Sequence, residues 1–166
     1  MRQELLTEDQ LPDVLKEVLE YWRGLGGEDL RCDWSGFDLM AIPESLLAST
    51  MVIDIGSEME ENRYRYWGSQ MTRIHGHDMT GLSPYNVNPK ELAQTLYKDH
   101  SRTLENPRWY ANAYEFIRAS GAEHRHCSLG LPLSEDGKTV SQIIVVVDLT
   151  QADPRDKKGL LSGFPS

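Results

Sequence analysis

Between residues 11 and 22 apolar side chains recur at the spacing of one helix face: Leu11, Val14, Leu15, Val18, Leu19 and Trp22. Asp13, Lys16, Glu17, Glu20 and Arg23 take the opposite face, so the pattern predicts an amphipathic helix that must pack on something. Thr7 and Gln10 have capping-box spacing, Pro12 suits a first helical turn, and Gly24, Gly26 and Gly27 end the helix. Residues 31–41 are irregular, with Trp34 and Phe37 as plugs, and residues 43–47 form a short helix. The β-branched run 51–55, stopped by Gly56, then pairs as a hairpin with a second strand at 63–67.

After Gly68 the period changes. Residues 69–74 read as a short helix closed by His75 and Gly76, residues 78–81 as a turn, and residues 89–104 as a longer helix. Asn88 is its expected cap, and Asn106-Pro107 its stop. Three strands follow at 108–118, 123–133 and 139–149, joined by turns at Ser120-Gly121 and Glu135-Asp136-Gly137. The run 143–147 is apolar on both sides, which marks a central strand covered on both faces. The first helix is the natural cover for the second face. The fold class is therefore α+β, with residues 1–49 as a helical cap and lead-in, 50–149 as the sheet domain and 150–166 as a polar tail.

The chain has 166 residues and a formal net charge of -9. So acidic a surface repels phosphate backbones, and nucleic acid is not expected as a partner. There is no signal-like or membrane-spanning apolar run, so a cytoplasmic protein with reduced Cys32 and Cys127 is expected, away from membranes.

The order of two strands, a helical cluster and three strands is that of a PAS domain. Arg63-Tyr64-Arg65-Tyr66-Trp67-Gly68, followed by Gly76-His77-Asp78-Met79-Thr80-Gly81, resembles the pattern of short stand-alone bacterial PAS proteins. Tyr21-Trp22 before the glycine-rich loop, and Ile42-Pro43 with Leu46-Leu47, resemble their lead-in. The resemblance implies a five-stranded antiparallel sheet with helices arched over one face and a cavity between, either filled or holding a small ligand. It also implies signalling through the outer sheet face or flanking helices, often within a dimer. Independently of it, Gly68, Gly76 and Gly81 allow sharp chain reversals, and the Asp78 and Thr80 side chains can accept hydrogen bonds from nearby backbone.

A flavin-binding light sensor of this family needs an Asn-Cys pair opening the helix after the second strand; Gly68-Ser69-Gln70-Met71 stands there, so flavin photochemistry is not expected. Haem needs an axial histidine among apolar walls, but His100 has polar neighbours and sits too close to the next strand, so it is expected to face solvent. His124 and His126 share a strand face and are weak metal candidates; Cys127 points the other way and no third ligand is evident. His75 and His77 flank Gly76 without a completing carboxylate. No catalytic motif is present, and an enzyme is not expected.

What remains is the cavity. Its expected lining is Trp67 (or Tyr66), Met71, Ile74, Leu92, Leu96, Tyr97, Tyr114, Phe116, Cys127, Leu129, Ile143 and Val145, which suits an apolar or planar ligand and equally a closed core. The sequence reads as a sensory or adaptor module that acts as a homodimer on a separate signalling protein. The alternative is a small-ligand carrier or metal-dependent enzyme on the same scaffold.

Overall fold

A run apolar on five successive residues, 143–147, needs cover on two sides, and β6 (Gln142–Asp148) has it: all seven of its residues are buried. The computed structural model describes residues 1–117 and 123–150; of 116, 117, 123 and 124 it describes the backbone alone. The Ser120-Gly121 turn and the tail from 151 lie outside the described residues. Around β6 runs an antiparallel sheet in the order β1 (Arg2–Leu5), β4 (Tyr110–Ile117), β5 (Glu123–Leu133), β6, β2 (Thr50–Asp54), β3 (Arg63–Trp67).

The five expected strands are joined by a sixth. β1 pairs with β4 at the sheet edge, Gln3 opposite Tyr114. Its sequence, Arg-Gln-Glu-Leu, is mostly exposed and lacks the apolar alternation that marks a strand with one buried face. Charge partners it instead: Arg2 and Arg125 both meet Glu115, at 3.8 and 2.8 Å.

The helix α1 (Asp13–Gly24) lies across one sheet face. Leu15, Val18, Leu19 and Trp22 are buried there with Leu129, Leu131, Ile144 and Val146. The Trp22 indole N–H donates to the Pro132 carbonyl at 3.0 Å, locking the helix end to β5. This apolar face is thus buried within the chain itself. Thr7 and Gln10 do not cap α1; the Thr7 N–H donates to Gln10 Oε1 across a separate 3-10 turn at Glu8–Gln10.

The opposite face is covered by α3 (Ser69–His75) and α4 (Lys90–Glu105), with the short α2 (Glu44–Leu47) leading into β2. A register shift between Val52 and Ile53 leaves Arg65 as the extra residue of β3. The bulge breaks strand parity, so Tyr64 and Trp67, three residues apart, point to the same side. The turn after α3 covers the outer edge of β3: Gly81 N–H donates to the Tyr64 carbonyl and Tyr64 N–H to the Leu82 carbonyl. Asp78 Oδ1 accepts from the Thr80 N–H and hydroxyl at 2.8 and 2.7 Å, and Gly76 and Gly81 take left-handed backbone. These motif residues build the turn.

α4 is docked by a polar seam. Asp99, 5% exposed, accepts from Gln3 Nε2 of β1 at 2.9 Å and Asn112 Nδ2 of β4 at 3.0 Å. Burial pushes the Asp99 carboxyl above the usual range, against the opposing pull of Gln3, Arg102, Asn112 and Tyr114. His100, expected in solvent, is fully buried; its Nδ1 lies 3.1 Å from the Tyr85 hydroxyl, which accepts from Asn62 Nδ2. The polar neighbours of His100 in sequence misled because Asp99 and Thr103 are buried with it.

Two outcomes follow from this packing. Leu19→Ala should lower unfolding free energy by about 2–5 kcal/mol in urea titration, while Glu17→Ala on the outward face stays within about 0.5 kcal/mol. Burial holds the His100 imidazole down at about 4. Because the unfolded chain takes up that proton near pH ~6.5, the contribution of neutral His100 is complete above that pH and is lost as pH falls toward 4. The raised Asp99 works in the opposite sense, gaining its proton more easily when folded. Replacing His100 with Gln should therefore remove about 2 kcal/mol of the stability loss between pH ~7 and ~5, read by urea unfolding at both.

Candidate functional site

Between the covered sheet face and the helices lies a cavity of about 90 Å³. Its floor comes from the central strands: Met51 and Ile53 of β2, Val145 and Val147 of β6, Tyr114 of β4, His126 and Ser128 of β5. Its roof is Met71, Ile74 and His75 of α3, Val87 and Pro89 before α4, and Leu92 and Leu96 of α4. Tyr64 and Trp67 close one end; Met1 and Leu149 also reach it. No Asp, Glu, Lys or Arg is among the described residues that line it.

Aromatic edges hold the polar members in place. The Trp67 indole meets Tyr64 and His75 edge-on, ring centres 4.7 and 5.1 Å apart. Tyr114 stacks on His126 at 5.2 Å, as their direct cross-strand pairing dictates. Burial, with His77 nearby, pushes the His75 imidazole down to about 4, so it is neutral at physiological pH. Trp67 is 5% exposed, and its buried indole N–H has no hydrogen-bond partner among the described residues.

Gly68 fixes the end of the Trp67 strand. A side chain there would place its Cβ 2.3 Å from the Ala48 carbonyl oxygen, so only glycine lets β3 leave the sheet at this point. Gly68 N–H donates to the Thr50 carbonyl and Gln70 N–H to that of Ala48. The glycine of the motif is thus demanded by close approach and not by a left-handed backbone.

The structure brings Trp67, Met71, Ile74, Leu92, Leu96, Tyr114 and Val145 around the cavity and leaves others out. Cys127 and Leu129 belong to the opposite core under α1. Tyr114 faces His126 and Ala113 faces Cys127, so the odd-numbered residues of β5 point away from the cavity. Ile143 is on the cavity side, packed beside it without lining it. Tyr97 is 40% exposed on the outside of α4, edge-on to Tyr85. Tyr66 packs toward α1. The Phe116 and His124 side chains lie outside the described residues. His126, read as a weak metal candidate, lines the cavity, and His100 does not. Among the described residues no group of three or more His, Cys, Asp or Glu is placed to hold a metal ion. Ser128, His75, Val147 and Ile53 escaped sequence reasoning; the register that pairs Ser128 with Val147 is the signal that locates them.

No family model and no curated protein matches the sequence. Solved structures with a similar chain path include the Vibrio cholerae VqmA–ligand–DNA complex, at 12% identity over 60% of this chain and 44% of that one, TM-score 0.48. An RNA-binding light-oxygen-voltage receptor is similar at 12% identity over 95% of this chain and 40% of the other, TM-score 0.46. A Rhodobacter sphaeroides LOV protein is similar at 13% identity over 65% and 62%, TM-score 0.45. This chain therefore spans from two fifths to three fifths of the length of each. One of these proteins is complexed with DNA and another is named for RNA binding, which overturns the expectation that nucleic acid is excluded. Net charge sums over a whole surface and does not decide what one patch, or a neighbouring segment, contacts. With its antiparallel sheet and helices arched over the cavity face, the chain has a PAS-like α+β fold.

Proposed function

We propose that the chain is a sensory module that takes a small apolar ligand into the cavity between the sheet and the helices α3 and α4. The observation that carries this reading is the cavity itself, lined almost wholly by apolar side chains of the sheet and of the helices over it. Apolar side chains that border unfilled space forgo packing contacts, so keeping such a space costs stability. One added methylene on Val145 or Val147 would relieve part of that cost. A chain that keeps the space gives up stability for it, which is the pattern of a site rather than of a core.

The lining fits the role. Met51 and Met71 are unbranched and polarizable, so they can adjust to a guest without moving the backbone. A neutral His75 and the absence of Asp, Glu, Lys and Arg among the described lining residues favour an uncharged molecule. An engineered apolar cavity of ~150 Å³ admits benzene. The smaller space here therefore suits a guest of one ring or less, with modest movement of the methionines.

Benzene serves as the test guest. It should raise the melting temperature of the wild-type protein in a concentration-dependent way. Val145→Leu should raise the stability of the unliganded protein by about 0.8 kcal/mol while weakening that response. If saturating benzene leaves the wild-type melting temperature unmoved, the cavity is not a binding site.

A further inference from the structure

Among the described residues that line the cavity, Trp67 carries a buried donor without a partner. The Trp67 indole N–H is a donor only, it is buried, and no described residue accepts from it. Its ring lines the cavity, and its closest ring neighbours, Tyr64 and His75, meet it edge-on. A ring face is at best a weak acceptor. The contrast with α1 is instructive: there the buried Trp22 N–H is paired with the Pro132 carbonyl at 3.0 Å. Buried polar groups are normally satisfied, and each orphan calls for an explanation.

Resting on the reading of the cavity as a ligand site, we propose that it selects a neutral molecule of about one-ring size carrying a hydrogen-bond acceptor, which the Trp67 indole N–H engages. An acceptor on the guest would complete the donor that folding has already desolvated, so the guest avoids much of the cost of bringing a new polar group inside. A carboxylate is excluded for the converse reason. No Lys or Arg is among the described residues that line the space to balance it, and His75 is held neutral by burial. The seven-residue α3 starts right after Gly68 and adds no charge to the lining; its members there are Met71, Ile74 and His75.

Benzene and pyridine make the decisive pair, because they share a size and differ in the ring nitrogen that accepts a hydrogen bond. Affinities are measured at mildly alkaline pH, where pyridine is uncharged, with benzoate as the anionic arm. In the wild-type protein the bound pyridine should move the Trp67 indole N–H resonance downfield, and benzene should not. That resonance is assigned among the four tryptophans by its proximity to Tyr64 and His75 protons. In Trp67→Phe the affinity ratio of pyridine to benzene should fall roughly three- to tenfold, the worth of one hydrogen bond. Benzoate should not compete with either. Benzene binding with an unchanged ratio and an unmoved resonance overturns the acceptor claim and leaves the cavity reading standing. Benzoate binding as well as pyridine overturns the claim of neutrality. If neither ring binds, the cavity reading fails and this inference fails with it. The resonance shift is read on the wild-type protein, so a Trp67→Phe variant that does not fold still leaves a decisive measurement.

Discussion

Everything in this molecule depends on β6 being buried on both faces. Seven consecutive buried residues require a second layer over the side of the sheet that α3 and α4 do not reach. α1 supplies it, with Leu15 and Leu19 fully buried against β5 and β6. Once that layer is in place the sheet separates two cores, one of packed aliphatic side chains under α1 and one of aromatic and sulfur-bearing side chains under α3 and α4. The cavity lies in the second.

Two-sided burial also explains what the sequence could and could not convey. Element positions were legible, since helical periodicity, glycine stops and β-branched runs are local signals; the helix at 13–24 and the strands around 51–55 and 143–147 are where the pattern puts them. Which face of a sheet covered on both sides a residue takes is not legible, because each face has its own buried layer. On β5 Cys127 and Leu129 alternate with His126 and Ser128, and the apolar set reads as cavity lining although register turns it toward α1, while His126 and Ser128 line the cavity. Two further losses have other causes. β1 is a polar edge strand with no apolar alternation, and the bulge at Arg65 is visible only once β2 and β3 are paired. His100 was misplaced because a buried polar seam looks, residue by residue, like a solvated face.

That seam and the cavity are opposite departures from a simple apolar interior. Along α4, Asp99, His100 and Thr103 are buried with Asn112 and Tyr114 of β4, joined to β1 through Gln3. Polar contacts of this kind stabilise little in net terms and cost heavily when one partner is lost. What they do well is specify geometry: the carboxylate of Asp99 accepts from β1 and β4 at once, so α4 has one seat over the sheet. The apolar cavity beside it needs such a seat, because van der Waals contact with Leu92 and Leu96 alone would let the helix settle inward and close the space.

Trp67 is the point at which occupancy of the cavity would meet the backbone. Its ring lines the space, and the next residue is a glycine packed against the Ala48 and Thr50 carbonyls. Those carbonyls accept from Gly68 and Gln70, so the end of β3, the start of α3 and the junction of α2 with β2 form one hydrogen-bonded unit. The same junction is tied across the sheet, where the Ser49 hydroxyl donates to the Val147 carbonyl at 2.6 Å, and Val147 itself lines the cavity. A guest that draws on the Trp67 N–H and presses on Val147 therefore acts on both sides of the α2–β2 junction. Any shift there is passed to Leu46, which is buried in the core under α1. The two cores that β6 separates thus border one hydrogen-bonded corner, the place where occupancy of the cavity, as proposed, would reach the α1 side.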